Sequence, residues 1–287
     1  MQLSIIIVNY KVYQYLANCI ESVMKSIAQM EAEIIVVDNE SDSIALHQIT
    51  QQYPSIITIC NATNKGYSTA NNQGLAISKG RYILFLNPDT IVPMPTILGA
   101  LTYLDANNQV GAVGVKMINE KGAFLPESKR AYPNPITALF KLVGLNRVFP
   151  GSAYFNKYAL GNLSTHEIHS IEIIAGAFLM SRKTILIELG GFDEQFFMYG
   201  EDIDLSKRIL NLGYENRYLG NLSILHYKGA STNKKGMEYN THFYNSMKLF
   251  VQKYYSGSAN WFKRSLLFTG INIAQTLALI KNQLYRF

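Results

Sequence analysis

Short, nearly unbroken apolar runs alternate with amphipathic stretches through the N-terminal part of the chain. Ser4 to Tyr10 (SIIIVNY) has the dense branched-aliphatic character of a strand buried on both faces. Tyr13 to Ile27 changes period, placing Leu16, Cys19, Ile20, Val23 and Ile27 on one helical face. EIIVVDNES then predicts a second strand ending in a turn, and SIITICNATNKG a third strand running into a loop. YSTANNQGLAISKG predicts a helix closed by Gly80, and RYILFLNPDT a fourth strand that stops at Pro88. Strands alternating with helices imply a mainly parallel, Rossmann-like central sheet flanked by helices, an α/β fold. Sheets of this kind take ligands at the carboxyl ends of their strands. Those ends read Asn9-Tyr10, Asp38-Asn39, Asn64-Lys65-Gly66 and Asn87-Pro88-Asp89, so polar and ring-bearing groups would converge on one rim.

Farther along the pattern loosens. Lys116 to Gly161 carries Pro126, Pro133, Pro135 and Pro150 among scattered basic residues, which predicts a long functional loop with short helices. EIIAGAFLMSRK is apolar and rich in small residues; NRYLGNLSILHYKGAST predicts two short strands and a glycine loop. Between them, FFMYGEDIDLSKRI crowds Glu201, Asp202 and Asp204 behind four bulky side chains and a glycine. Acids suit a helix N-terminus, and Ile203, Leu205, Ile209, Leu210 and Leu212 have helical spacing. A solvated helix start and a catalytic acid cluster both explain this stretch.

Composition narrows the class. The 287 residues are 48% hydrophobic, enough for a substantial core and too apolar for disorder. Two cysteines, Cys19 and Cys60, cannot build a disulfide framework and match no zinc spacing. With no signal-peptide pattern at the N-terminus, the expectation is a reducing, cytoplasmic location. The net charge of +6 lies wholly in Tyr239 to Phe287, which holds six basic residues and no acid, while Met1 to Glu238 is balanced. A neutral body argues against nucleic acid as a partner. The division implies a main domain over residues 1–238 and a basic C-terminal extension over 239–287. In the extension, Ser265 to Ile280 is uncharged but short of the ~20 residues of a span. Ser265, Thr269, Asn272 and Thr276 form a mildly polar stripe, so the expectation is an amphipathic helix on an anionic membrane surface or packed against protein. No G-x-G-x-x-G follows the first strand and no G-x-x-x-x-G-K-[ST] occurs, which removes dinucleotide and P-loop sites.

Seven blocks carry a family likeness: SIIIVNY, IIVVDNES, NKGYSTANNQG, YILFLNPDT, IIAGAFLMSRK, GGFDEQFFMYGEDIDLSKRI and ILHYKGAST, in this order between Leu3 and Thr232. In them the chain resembles inverting glycosyltransferases of family 2, within them the rhamnosyltransferase-like branch of bacterial surface-polysaccharide synthesis. The resemblance implies a GT-A fold with a C-terminal helical extension, a nucleoside-diphosphate sugar donor, and displacement at the anomeric carbon by an acceptor hydroxyl, on a saccharide or lipid-linked acceptor. It implies Asn9, Tyr10, Asp38, Asn64, Lys65, Gly66 and Asn87 for the nucleotide. Asp89 falls at the family's D-x-D metal motif, which reads Asn87-Pro88-Asp89 here and lacks one carboxylate; His226 is the second candidate ligand for Mg²⁺ or Mn²⁺. Asp202 is implied as the base and Glu201 as an acceptor-binding group, with Asp204 facing away. Lys129 and Arg130 are candidates for neutralising phosphate. A lipid-linked acceptor would place the enzyme peripherally at the inner face of the cell membrane. A sugar nucleotidyltransferase is disfavoured because NYKVYQYL has no glycine-rich loop after the first strand. A non-catalytic glycan- or nucleotide-binding protein on a degenerate transferase fold is the rival that the incomplete D-x-D leaves open.

Overall fold

The computed structural model describes residues 1–133, 148–149, 151–227, 237–257 and 260–284. Pro135 and Pro150 of the predicted loop, and residues 228–232 of the last family block, lie outside these. The N-terminal half follows the expected alternation: β1 Leu3–Asn9, α1 Tyr13–Ser26, β2 Ala32–Asn39, α2 Ser43–Gln52, β3 Ile57–Asn61, α3 Tyr67–Ile77 and β4 Tyr82–Leu86. A two-residue β5, Thr90–Ile91, precedes α4, Met94–Ala106, and β6, Val110–Ile118. Then come β7 Ile168–Ile171, β8 Phe178–Arg182, α5 Lys183–Glu188, α6 Glu201–Asn211 and β9 Glu215–His226. Two C-terminal helices, α7 Met237–Tyr254 and α8 Trp261–Leu284, complete the described chain.

One sheet runs in the order β3, β2, β1, β4, β8, β6, β9, β5, with β7 paired to β9. β1 to β4 are mutually parallel, β8 runs antiparallel between β4 and β6, and β9 is parallel to β6. All seven residues of β1 are buried, because successive side chains leave the strand on opposite faces and both faces are covered. Ile5 and Ile7 pack with Leu16, Ile20 and Val23 of α1 and Ile97 and Leu101 of α4. Ile6 and Val8 pack on the other face with Ala70 and Leu75 of α3 and Leu205 and Ile209 of α6. The strand order and packing are those of a GT-A fold.

Two local expectations are corrected. Gly80 does not close α3, which ends at Ile77 with Ser78 already extended. A Cβ on Gly80 would lie 2.4 Å from the backbone nitrogen of Ser4, so this glycine is needed for close approach to β1. The two short strands predicted after Asn216 are one continuous strand, β9, with a register shift against β6 between Val115 and Lys116. Gly220 lies within β9, where a Cβ would meet the carbonyl of Glu167 at 2.5 Å.

The extension is bound to the body rather than trailing from it. α7 packs against the chain entering α6: the His242 ring stacks on Phe197 at 4.3 Å, and the Ser246 hydroxyl donates to the Met198 carbonyl at 2.7 Å. Asp204, wholly buried, accepts from Tyr254 Oη and Lys253 Nζ, each at 2.6 Å, and from Arg208 Nε at 2.7 Å. Asp204 thus faces away from the cleft, as expected, and α7 supplies part of its salt bridge. The boundary expected after Glu238 falls in the first turn of α7.

Candidate active site

The parallel strands deliver Asn9, Asn39 and the Asn87-Pro88 corner to one edge. β8 begins at that edge, where Leu86 pairs with Phe178, so Ala175, Gly176 and Ala177 enter beside the end of β4. A cleft of about 300 Å³ opens there. Its walls include Tyr10, Asn64 and Asn87 from the first half of the chain, and Gly176, Tyr199, Glu201 and Asp202 from the second. Arg130 and His226 complete it.

Of the nucleotide candidates, Tyr10, Asn64 and Asn87 line the cleft, whereas Asn9, Asp38, Lys65 and Gly66 do not. Asn9 is fully buried and donates through Nδ2 to Asp38 Oδ1 at 2.7 Å. The other carboxylate oxygen of Asp38 accepts from Tyr13 Oη and Ser41 Oγ at 2.9 and 2.7 Å. This pair therefore ties the ends of β1 and β2 to the loops above them. Asn39, one residue on, reaches the cleft and organises the next loop. Its Nδ2 donates to Asn64 Oδ1 at 2.7 Å, and its Oδ1 accepts from the Lys65 N–H at 2.8 Å. Gly66 adopts φ +86°, and a Cβ there would lie 2.7 Å from both the Phe197 ring and its carbonyl. The close approach this glycine permits is to the acidic segment.

Asp89 is buried, with Oδ1 3.2 Å from His226 Nε2. The two meet because β5 pairs antiparallel to β9, setting Thr90 opposite His226. One carboxylate and one imidazole at this separation fit two neighbouring positions around a divalent cation whose remaining oxygens come from phosphate and water. His226 Nδ1 is buried without a hydrogen-bond partner among the described residues. No group of three or more potential ligands occurs among those residues.

The acidic pair is presented by a sharp turn. Tyr199 (φ 70°) and Gly200 (φ 86°) are consecutive left-handed residues, and α6 starts immediately after them. Left-handed backbone costs a non-glycine residue on the order of 1–2 kcal/mol, so Tyr199 is held there by its surroundings. Phe196 to Gly200 are gripped by α7 on one side. On the other, Ser68 Oγ donates to the Phe196 carbonyl at 2.6 Å and the Tyr67 N–H to the Phe197 carbonyl at 2.7 Å. Asp202 Oδ2 accepts from Arg130 Nη2 at 2.5 Å and from the Gly176 N–H at 3.2 Å; its Oδ1 accepts from the Ile203 N–H at 2.8 Å. Burial works against the charge on Arg130, but the neighbouring Asp202 carboxylate raises its pKa overall. Glu201 is 8% exposed. Its burial first, and then the charge of Asp202, push its pKa up to about 8.

Two phosphate candidates resolve differently. Arg130 lines the cleft but is paired with Asp202. Lys129 is 1% exposed and points away, its Nζ donating to the Leu160 carbonyl at 2.5 Å, with burial lowering its pKa. Alternation along an extended segment sends the two neighbours to opposite sides. Sequence reasoning also missed Tyr67, whose hydroxyl lies 3.2 Å from Asn87 Oδ1 and donates to the Gly176 carbonyl at 3.1 Å, bridging the two halves of the cleft. Its pKa is raised by burial and then by the charge of Glu201. Its only signal was its place in NKGYSTANNQG.

Against known families, the model described as glycosyl transferase family 2 matches residues 4–164. The chain belongs to glycosyl transferase family 2. Within the family, it is 26% identical over 247 residues to the N-acetylglucosaminyl-diphospho-decaprenol L-rhamnosyltransferase of Mycobacterium tuberculosis, covering 82% of this chain and 78% of that protein. To the rhamnosyltransferase WbbL of Escherichia coli it is 27% identical over 230 residues, 78% of this chain and 82% of the relative. Among solved structures, the mannosyltransferase PcManGT from Pyrobaculum calidifontis, in complex with GDP-Man and Mn²⁺, superposes with a TM-score of 0.58 at 15% identity, over 98% of this chain and 73% of that one. That likeness is one of fold. Family 2 membership with rhamnosyltransferase relatives makes the chain a glycosyltransferase and favours catalysis over a binding-only role.

Proposed function

We propose that this glycosyltransferase moves a sugar, rhamnose first among candidates, from a nucleoside-diphosphate donor onto a hydroxyl of a lipid-linked saccharide, with inversion. The observation that carries the reading is the single cleft walled at once by Tyr10 and Asn64, by His226 and by Glu201 and Asp202. Tyr10 offers a ring for the base and Asn64 a polar contact at the loop after β3; Lys65 and Gly66 shape that loop. Asn9 and Asp38 act from beneath, fixing the strand ends on which the nucleotide rests. Asn87, held toward Tyr67, faces the sugar diphosphate.

Asp89 and His226 would hold Mg²⁺ or Mn²⁺, which when bound supplies positive charge against the leaving diphosphate. Asp202 takes the proton of the attacking hydroxyl, as its place in the cleft and the family resemblance both support. Glu201 contacts the acceptor beside it. Residues 1–238 carry this chemistry, and 239–287 support the acceptor wall.

The same reading covers location. No helix among the described residues is long and apolar enough to cross a membrane. On α8, however, Phe262, Leu266, Ile273, Leu277 and Ile280 are all exposed and fall on one stripe, with exposed Lys263 and Arg264 at its start. That supports peripheral attachment to an anionic cytoplasmic membrane face, each nearby basic residue adding about 1 kcal/mol. Full-length protein should float with phosphatidylglycerol vesicles and lose this in the L266S/I273S/L277S variant; equal flotation would end the idea.

The deciding experiment for the reaction is donor hydrolysis. UDP-, dTDP- and GDP-sugars are incubated with Mg²⁺ or Mn²⁺ and released nucleoside diphosphate is measured. Release from one donor, lost in Asp89→Ala, is expected. No release from any donor, together with no thermal shift from any nucleoside diphosphate, would remove the donor site.

A further inference from the structure

Glu201 and Asp202 are neighbours in sequence at the head of α6, yet their surroundings are opposite. Asp202 is satisfied as an anion: the Arg130 guanidinium and two backbone N–H groups all donate to its carboxylate. Glu201 lines the same cleft, is more than nine-tenths buried, and has Oε2 without a hydrogen-bond partner among the described residues. An ionised carboxylate left that way is strongly disfavoured, and a second carboxylate alongside makes it worse. Among the described residues, the charged and titratable groups acting on it are Asp202, Arg130 and Tyr67. Arg130 is committed to Asp202, and the Tyr67 hydroxyl is directed at Asn87 and Gly176. A neutral carboxylic acid resolves the conflict, because it carries no charge to bury and becomes a donor.

We propose that Glu201 works as a neutral carboxylic acid whose O–H donates a hydrogen bond to an oxygen of the acceptor saccharide adjoining the attacking hydroxyl. This rests on the sugar-transfer reading and divides the acidic pair by charge state. In the transfer step, the acceptor oxygen forms a bond to the anomeric carbon and its proton passes to Asp202. The bond from the anomeric carbon to the donor phosphate oxygen breaks, its electron pair leaving with the nucleoside diphosphate. Glu201 keeps its proton throughout. Two carboxyl groups driven to different protonation states by their environments are a recurrent way of dividing work in one site. Burial raises the Glu201 pKa, in the direction the geometry requires.

The charge state can be read without a substrate. Full-length protein labelled with ¹³C-carboxyl glutamate is followed by difference infrared spectroscopy from pH 6 to 10. A protonated glutamic-acid carbonyl band at pH 7 that titrates away in mildly alkaline solution and is absent from Glu201→Gln is expected. Carboxylate bands alone at pH 7 would overturn the proposal. Should Glu201→Gln fail to fold, Glu201→Asp keeps an acid in place while removing the labelled carboxyl, so the band should vanish there too; a band that survives it would belong to another glutamate and overturn the proposal. The hydrogen bond is read with an N-acetylglucosaminyl-diphospho-lipid as acceptor probe. Glu201→Ala should raise the acceptor KM by up to about tenfold, the equivalent of one hydrogen bond, with donor KM unchanged. Unchanged acceptor KM, or a donor KM that rises with it, would overturn this half. Loss of transfer in the wild type would instead indict the sugar-transfer reading, leaving the spectroscopic result standing.

Discussion

The guanidinium of Arg130 lies 2.5 Å from the carboxylate of Asp202, joining the strand-like segment after β6 to the first turn of α6 across the cleft. Both residues are mostly buried, so the pair is far less screened than a surface ion pair. Its position makes Arg130 the residue that sets where the Asp202 oxygens point.

For turnover, Asp202→Asn should lower the rate by roughly 10²- to 10⁴-fold, the usual worth of a positioned acid or base. Arg130→Gln should fall as well, and the double variant should be little worse than Asp202→Asn alone, since the two act as one unit. Nucleoside-diphosphate release rates provide the test. Full activity of a folded Asp202→Asn protein would remove Asp202 as the base.

Metal dependence should map onto the Asp89–His226 pair. Mn²⁺ together with a nucleoside diphosphate should raise the melting temperature of the wild type by linkage. That increment should vanish in Asp89→Ala and shrink in His226→Ala. An undiminished shift in both would move the cation elsewhere.

Stability should respond to pH through Glu201. Its pKa stands at about 8 in the fold, against about 4.3 for an unperturbed glutamate. Below the lower value the proton is held in both states. As pH rises between the two, the folded state retains a proton the unfolded state has lost, so stability falls until the higher value is passed. Glu201→Gln should lack this slope, and its melting temperature relative to wild type should climb from pH 5 to pH 8. Parallel profiles would show Glu201 ionising as it does in water.

The extension should prove part of the fold. Asp204→Asn removes a buried anion shared by Arg208, Lys253 and Tyr254, and losing one partner of such a cluster costs about 3–5 kcal/mol. Urea unfolding should show that loss, with faster hydrogen exchange along α7. A cost under about 0.5 kcal/mol would mean that α7 is only loosely held.

Much of this was legible before any coordinates. Leu3 to Asn9, Ala32 to Asn39 and Tyr82 to Leu86 announce themselves because strands buried on both faces leave a run of branched aliphatics that no other element explains. The rim of Tyr10, Asn64 and Asn87 follows from parallel direction alone. Unreadable were features created by chain segments meeting at a distance. Gly80 looks like a helix stop until β1 is found against it. Nothing local distinguishes Lys129, which faces inward to backbone carbonyls, from Arg130, which faces the cleft. Asp38 is implied for the nucleotide by the family resemblance, and nothing local signals that its two carboxylate oxygens accept from Asn9, Tyr13 and Ser41.

The helix that grips Phe197 and Met198 also leads into the helix whose apolar stripe faces outward. Cutting this chain back through α7 is therefore not a neutral act of protein engineering. It strips the buttress from the turn at Tyr199 and Gly200, so a trimmed enzyme would read as catalytically crippled for reasons of posture, its chemical groups all still present.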